Sequence, residues 1–373
     1  MQHPESLLNY PFGDSTPPVG TVLEIAPGIK WLRMGLPFAL DHINLWLLRD
    51  YFGGREGWTI VDCGIDSAET RNRWESIFSG DLEGLPVLRV VVTHMHPDHI
   101  GLAHWLCARW QAPMAISATD YYVARAACSG DDDVSAGSPQ AIRFFQAHGF
   151  GDAETIQKLI ERRGYYRRLV PAVPPAFQRL QDGKQIEIGS RKWHCISGFG
   201  HAPEHIALYC PEIGILIAGD MLLPRISTNV SVYADEPEAN ALQQFLDSID
   251  RFTPLPADTL VLPSHGRPFI GAHTRIEQLH SHHRAQLNSL LDFCTEAPRC
   301  AADAIPVLFK RKLDFHQLTF ALGEAIAHLH ALWYAGTVVR IPMADGLLRF
   351  HATTSVQGGS LPANCNENSS QIE

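Results

Sequence analysis

The stretch VVVTHMHPDHIGLAHWL, residues 90–106, constrains this chain more than any other. LRVVVTH (88–94) has the β-branched character of a buried strand, and His94, His96, Asp98 and His99 fall within six positions at its end. Residues two apart in extended backbone point the same way, so His94 and His96 share a side. Pro97 disfavours helix at His96 and suits a first helical turn, so the chain is expected to enter a helix with Asp98 and His99 facing the same space. Gly101 lets the backbone pack close behind them. Four ligand-type side chains thus converge from one loop. Without a metal, imidazoles this dense repel when protonated and lack partners when neutral. A metal centre is the expectation.

Three distant segments end strands on further ligand types. GFGHAPEH places His201 in a Gly-containing loop between two strands, ILIAGD ends on Asp220, and LVLPSHG ends on His265. A strand-end aspartate alone is usually a cap or turn residue. Taken with residues 94–99, the three complete a set in chain order.

The rest of the chain supplies context. Residues 1–20 read as a Pro-rich arm. Strand candidates punctuated by Gly and Pro follow, with a helix capped by Ser67. Residues 129–180 break the strand–helix alternation and read as a helical insertion. From 273 to 350 the order is helix, helix, helix, hairpin, which is that of a winged helix, and 351–373 are small and polar, a tail expected to be disordered. Hydrophobic residues at 45% against 19% charged imply a large core rather than global disorder. A net charge of -10 suits neither nucleic acid nor an anionic membrane. The eight scattered cysteines form no C-x-x-C pair and read as reduced thiols. No basic start with an apolar stretch marks a signal peptide, and no apolar run nears the ~18 residues of a membrane span, so the cytoplasm is the default. HSHH (280–283) reads as a helix-face histidine run.

The combined motifs, T-H-x-H-x-D-H at 93–99, a glycine-preceded histidine at 201, G-D at 219–220, S-H-G at 264–266 and V-D-C-G at 61–64, resemble the metallo-β-lactamase-fold hydrolase superfamily over residues 20–270. That resemblance implies an α+β class fold, an αββα sandwich spanning 21–272 with its metals at one edge. It also implies that His94, His96 and His201 hold one divalent metal and that Asp98, His99 and His265 hold a second. Asp220 would bridge the two, and Asp62 and His205 would stand behind the ligands and fix their tautomers. Nitrogen and carboxylate ligands without thiolate suit Zn2+ and leave Mn or Fe open. Two such metals share a hydroxide that attacks a carbonyl or phosphoryl centre, with Asp98 and Asp220 as the catalytic carboxylates.

The complete ligand set separates the chain from mononuclear persulfide dioxygenases of the superfamily, and no flavodoxin segment is present. The segment 273–350 and GDMLLPRISTNVSV (219–232) resemble the group of β-lactamase-like protein 2 and its thioesterase relatives, which includes both a ribonuclease and acyl thioesterases. Across 271–350, eight Arg and Lys face seven Asp and Glu, a net of +1, far less basic than a nucleic-acid wing. The expected substrate is therefore a small acyl molecule: a carboxylic ester, thioester or lactone. Phe144, Phe145, Phe150, Tyr165, Tyr166 and Phe177 are wall candidates, or merely the small core of the insertion. Arg225 is a candidate for an anionic group, against a plain salt bridge. A phosphodiesterase or endoribonuclease on the same core, and a non-catalytic metal-stabilised module contacting a partner or a second copy in a homodimer, are the competing readings.

Overall fold

A computed structural model describes residues 4–129 and 137–353; of the expected tail, residues 354–373 lie outside the described part. Two mixed sheets carry the architecture. The first runs in sequence order: β1 (Val22–Ala26), β2 (Ile29–Gly35), β3 (His42–Phe52), β4 (Arg55–Val61), β5 (Val87–Val91), β6 (Met114–Ser117) and β7 (Gln178–Leu180). Its first four strands are antiparallel and the rest join in parallel. The second sheet holds β8 (Gln185–Ile188), β9 (Arg191–Gly198), β10 (His205–Cys210), β11 (Ile215–Gly219), β12 (Leu260–Pro263) and β13 (Phe269–Ile270), with only β11 and β12 parallel.

Strand alternation makes the layers. In β4, β5 and β11 every residue from Trp58 to Val61, Val87 to Val91 and Ile215 to Gly219 is buried, because both faces are covered. Val61, Val91 and Ile217 point into the space between the sheets, where Trp31, Trp46 and Trp193 are also buried. Their neighbours Ile60 and Val90 face the opposite way, onto α1 (Ala68–Gly80), α2 (Pro97–Ile100), α3 (Ala103–Trp110) and α4 (Ala118–Cys128). Ser67 caps α1 as expected, accepting from Thr70 N–H at 3.1 Å. Each large apolar side chain buried in these layers contributes about 1.5–3 kcal/mol.

The segment after α4 forms α5 (Pro139–Ala147), α6 (Ala153–Glu161) and α7 (Tyr165–Leu169), then returns to the first sheet as β7. The second sheet is covered by α8 (Ala241–Asp250) and by the C-terminal α9 (Ala272–Glu296), α10 (Ala301–Leu308) and α11 (Phe315–Tyr334). A hairpin of β14 (Val338–Pro342) and β15 (Leu348–Ala352) closes the chain, so His351 and Ala352 are strand residues rather than tail. One continuous core joins the outer face of the second sheet to these helices and to α5 and α6. The result is a four-layer αββα sandwich with a helical C-terminal region packed against it. Among the described residues no helix is long and apolar enough to cross a membrane, and the seven described cysteines are unpaired.

Candidate metal centre

The histidine loop is held by one buried carboxylate. Asp62, at the end of β4, has φ of 61°, a left-handed conformation that a non-glycine residue adopts at a cost. There its carboxylate accepts from Thr93 N–H at 2.8 Å and Thr93 Oγ1–H at 2.9 Å, and faces His99 Nδ1 at 2.8 Å. Pro97 opens α2 as its first residue. A Cβ on Gly101 would lie 2.4 Å from the Pro97 carbonyl oxygen and 2.7 Å from that of Gly64, so only glycine allows this approach.

Side chains from distant parts of the chain, His201, Asp220 and His265, meet this loop. His94 Nε2, His96 Nδ1 and His201 Nε2 form a triangle with sides of 2.9, 3.1 and 3.2 Å. Beside it, Asp98 Oδ2 lies 3.4 Å from His265 Nε2 and 3.7 Å from His99 Nε2. Asp220 spans the two groups. Its Oδ2 is 3.3 Å from His201 Nε2, while its Oδ1 is 3.5 Å from His99 Nε2 and 3.4 Å from His265 Nε2.

The hydrogen bonds behind these rings fix their tautomers. His201 Nδ1 donates to the Asn229 carbonyl and His265 Nδ1 to the His42 carbonyl, each at 2.7 Å. A carbonyl only accepts, so the proton sits on Nδ1 and the lone pair of Nε2 faces inward. Thr93 Oγ1, already donating to Asp62, accepts from His94 Nδ1 at 3.0 Å. His96 is turned the other way, with Nδ1 inward. Lone pairs therefore converge at 2.9–3.2 Å, and buried His99 Nε2 and Asp220 Oδ1 have no hydrogen-bond partner. Acceptors facing acceptors in a buried site call for a cation. The donor set fits one or two divalent ions, held by the groups His94/His96/His201, His94/His99/Asp220 and Asp98/His99/His265.

Charge follows the same division. Burial and the nearby His201 push His96 down to about 3. Burial alone would lower His265, but Asp220 and Asp98 outweigh it and hold the ring at about 10. His99 is raised for the same reason, against burial, by Asp62, Asp98 and Asp220. Asp98, which burial would raise, is brought down to about 2 by His99 and His265. The carboxylates thus demand positive charge, which protons on His265 and His99 or a metal supplies.

His205 stands behind the cluster, accepting from Asp220 N–H at 3.3 Å through Nε2. Gly219 precedes Asp220 with φ of 55°, and a Cβ there would lie 2.1 Å from that nitrogen. The substrate candidates fare differently. Arg225 is 68% exposed and lies 3.9 Å from the Glu5 carboxylate. Phe145 is buried in the core shared with the C-terminal helices, and Phe144 and Phe150 pack against that core. The apolar side of α5 turns to the C-terminal helices. Phe177 stacks on Tyr121 at 4.0 Å. Tyr166 serves the loop instead, its hydroxyl donating to the Met95 carbonyl at 2.6 Å. Tyr165 stays half-exposed on α7, which packs against α2.

Several positioning groups escaped the sequence reading. Asp120, buried at the start of α4, accepts from Met95 N–H at 2.7 Å and Glu204 N–H at 2.6 Å, tying together the loops of His94/His96 and His201. Burial raises its pKa to about 6 against these two donors. Ser-x-x-Asp at 117–120 signals a helix start, and Ser117 does cap α4, which hides the aspartate's second task. Asn44 of β3 donates to the Pro263 and Gly266 carbonyls at 2.8 and 2.9 Å and so holds the His265 loop. Nothing local distinguishes it from any polar strand residue.

The comparisons with known proteins agree with the fold. The Metallo-beta-lactamase superfamily profile matches residues 39–265, and the profile described as Metallo-beta-lactamase-like, C-terminal domain, matches residues 287–353. A beta-lactamase domain protein from Burkholderia ambifaria is 50% identical, covers 94% of this chain and 99% of its own, and superposes with a TM-score of 0.88. A metallo-beta-lactamase family protein from Thermus thermophilus is 29% identical over 88% of this chain and 100% of its own, with a TM-score of 0.71. The "Probable metallo-hydrolase YqjP" of Bacillus subtilis (strain 168) is 24% identical over 81% of this chain and 91% of its own length. With two profiles covering its sandwich and its last helices, the chain belongs to the metallo-beta-lactamase superfamily of metallo-hydrolases, in the branch that carries a C-terminal domain of its own.

Proposed function

We propose that the protein is a dinuclear metal-dependent hydrolase of carboxylic esters, thioesters or lactones, with Zn2+ as the metal. The observation that supports it most is Asp220, whose two oxygens face the two ligand groups separately, Oδ2 toward His201 and Oδ1 toward His99 and His265. His94, His96 and His201 would hold one ion and Asp98, His99 and His265 the other. Bound there, zinc lowers the pKa of water to about 7 and polarises an acyl oxygen, which supplies a nucleophile at neutral pH.

The protein's own residues do the rest. Asp98 is more exposed than its neighbours, with 19% of its side chain open against 10% for Asp220 and 0% for His99. Its outer oxygen is placed to orient the attacking water and take its proton. Asn229 and His42 keep the lone pairs of His201 and His265 turned inward throughout. Acyl chemistry is favoured over RNA cleavage by the overall charge of -10 and by a C-terminal region with almost no net charge.

The test is metal analysis followed by a substrate panel on zinc-reconstituted protein. Close to two metals per chain and turnover of acyl-CoAs, aryl esters or lactones is the expected outcome. Faster hydrolysis of bis(p-nitrophenyl) phosphate than of any acyl substrate would move the assignment to a phosphodiesterase. Two tightly held metals with no hydrolysis of either class would leave a binding module.

A further inference from the structure

A second feature lies at the rim of the centre. Arg162, half-buried between α6 and α7, forms no ion pair among the described residues. Its Nη1 donates to Thr319 Oγ1 at 3.0 Å and its Nη2 to His316 Nδ1 at 2.9 Å, both on α11. A guanidinium has five N–H donors, so these two bonds leave three. Asp314, the acid nearest in sequence to these partners, accepts Gln317 N–H at 2.8 Å as the cap of α11; its charge reaches Arg162, but the two form no ion pair.

The groups around Arg162 come from four separate segments. The Tyr165 ring lies 4.8 Å from its guanidinium carbon. His316 lies 5.6 Å from Tyr165, 5.7 Å from Phe38 and 4.9 Å from Phe320, ring centre to ring centre. Because His316 Nδ1 accepts from Arg162, its own proton sits on Nε2, and burial together with Arg162 keeps the ring neutral. Tyr233, 42% exposed, closes the circle, its phenol within reach of the Arg162 charge.

Each wall is one short step from a metal ligand. Phe38 lies four residues before His42, whose carbonyl holds His265. Tyr165 starts α7, which packs against the helix bearing Asp98 and His99, and Tyr233 ends the segment leaving Asp220. The Asp98 charge also reaches the Tyr165 phenol, so the aromatic rim and Arg162 stand on the Asp98 side of the ligands. A guanidinium this sheltered that forms no ion pair among the described residues can recognise an anion, since an arginine fork matches carboxylate and phosphate oxygens.

We propose that this rim is a subsite for a second, anionic oxygen group of the substrate, a carboxylate or phosphate distal to the scissile acyl bond. Arg162 holds the anion, while Phe38, Tyr165 and His316 pack the chain that links it to the acyl carbon. The subsite rests on the acyl-hydrolase reading above, and it narrows the substrate from any ester to one bearing an acid.

Calorimetric titration of the metal-loaded protein with butyrate, glutarate and 4-phosphonobutyrate tests it. One acid end of each ligand is common to all three, so butyrate is the internal reference. Wild-type protein is expected to bind at least one of the two dianionic ligands about tenfold or more tightly than butyrate, the effect of one charged hydrogen-bonded contact. Whichever wins separates carboxylate from phosphate recognition. Arg162→Gln is expected to reduce the preference to about twofold or less, and Arg162→Lys to fall between, which also carries the test if the glutamine variant does not fold. Equal binding of all three ligands by wild type would overturn the subsite. So would a preference that survives Arg162→Gln while the melting temperature drops, since Arg162 would then be a strut to α11. Turnover of p-nitrophenyl butyrate by the same wild-type preparation checks the hydrolase reading separately: its absence with the dianion preference intact removes that reading and leaves the subsite.

Discussion

Two histidine-rich regions of this molecule have opposite fates. At the strand ends, His94, His96, His99, His201 and His265 turn lone pairs toward one another and toward Asp98 and Asp220. In the C-terminal helices, His283 and His328 are as buried, but they are stacked in series. His328 Nδ1 donates to the Glu324 carbonyl at 2.8 Å, and its Nε2 then accepts from His283 Nδ1 at 3.1 Å. No carboxylate joins them, and burial drives their pKa values down to about 2 and 4. Donor-to-acceptor order uses the His328 lone pair and leaves a single unpartnered one, on His283 Nε2, in one region; acceptor-to-acceptor order leaves a converging set for a cation in the other. Histidine density is not what makes a metal centre. The second nitrogen of each ring, and the presence of carboxylates, decide it.

The buried acids show the same contrast. Burial would raise Asp98, yet His99 and His265 hold it at about 2. Glu324, beside the C-terminal pair, has only the Asn229 amide at 3.3 Å, and burial raises it to about 7.

The comparison breaks first at Asp220. Asp220→Ala should lower kcat/KM by about a thousandfold or more, beyond the ~10–100-fold typical of losing an outer partner of a ligand, and should cost at least one bound metal. Circular dichroism should show the fold retained. Unchanged turnover in that variant would rule out the bridging role.

Glu324→Gln gives a smaller effect, visible only against pH. The folded pKa of Glu324 is raised from 4.5 to about 7, so its contribution to stability is fully present below pH 4.5 and is lost as pH rises through 7. Glutamine cannot ionise and keeps an acceptor for Asn229. The variant should therefore exceed wild type in urea unfolding by up to about 3 kcal/mol at pH 8.5, with the difference nearly gone at pH 5. An equal difference at both pH values would mean that the Asn229 amide suffices to hold the charge.

His283→Leu should do least. Metal stoichiometry and turnover should match wild type, and stability should shift by about 1–2 kcal/mol at most, the cost of leaving His328 Nε2 without a donor. Loss of a metal equivalent would show that the second cluster also binds one, and the distinction between the two regions would fall.

What could be read without coordinates was whatever is local. A strand running into H-x-H-P-D-H must end in a turn, because Pro97 sits where it does, and the ligands there share a side. Asp220 and His265 were legible because apolar runs end at them, and His201 because it sits in a Gly-containing loop between two strands. Substrate contacts were not. The aromatics of the insertion carry the same signal whether they wall a pocket or fill a core, and Phe145 fills one. Arg225 follows Asp220 closely in sequence, which left an anion contact and a plain salt bridge both open; in the structure it lies 3.9 Å from the Glu5 carboxylate.

By itself the sequence located the histidine cluster and the candidates His201, Asp220 and His265, since strand ends and their loops are properties of short windows. The αββα sandwich and the division of the ligands between two metals came from the resemblance of the motifs to a family. Only the tertiary structure decided that Asp120, Asn44, His42 and Asn229 aim those ligands, and that Arg162 forms no ion pair among the described residues. The reason is geometric. A hydrogen bond is settled by distances below about 3.2 Å, and His42 and His265, 223 residues apart in the chain, meet within that range. No local pattern encodes which segments will.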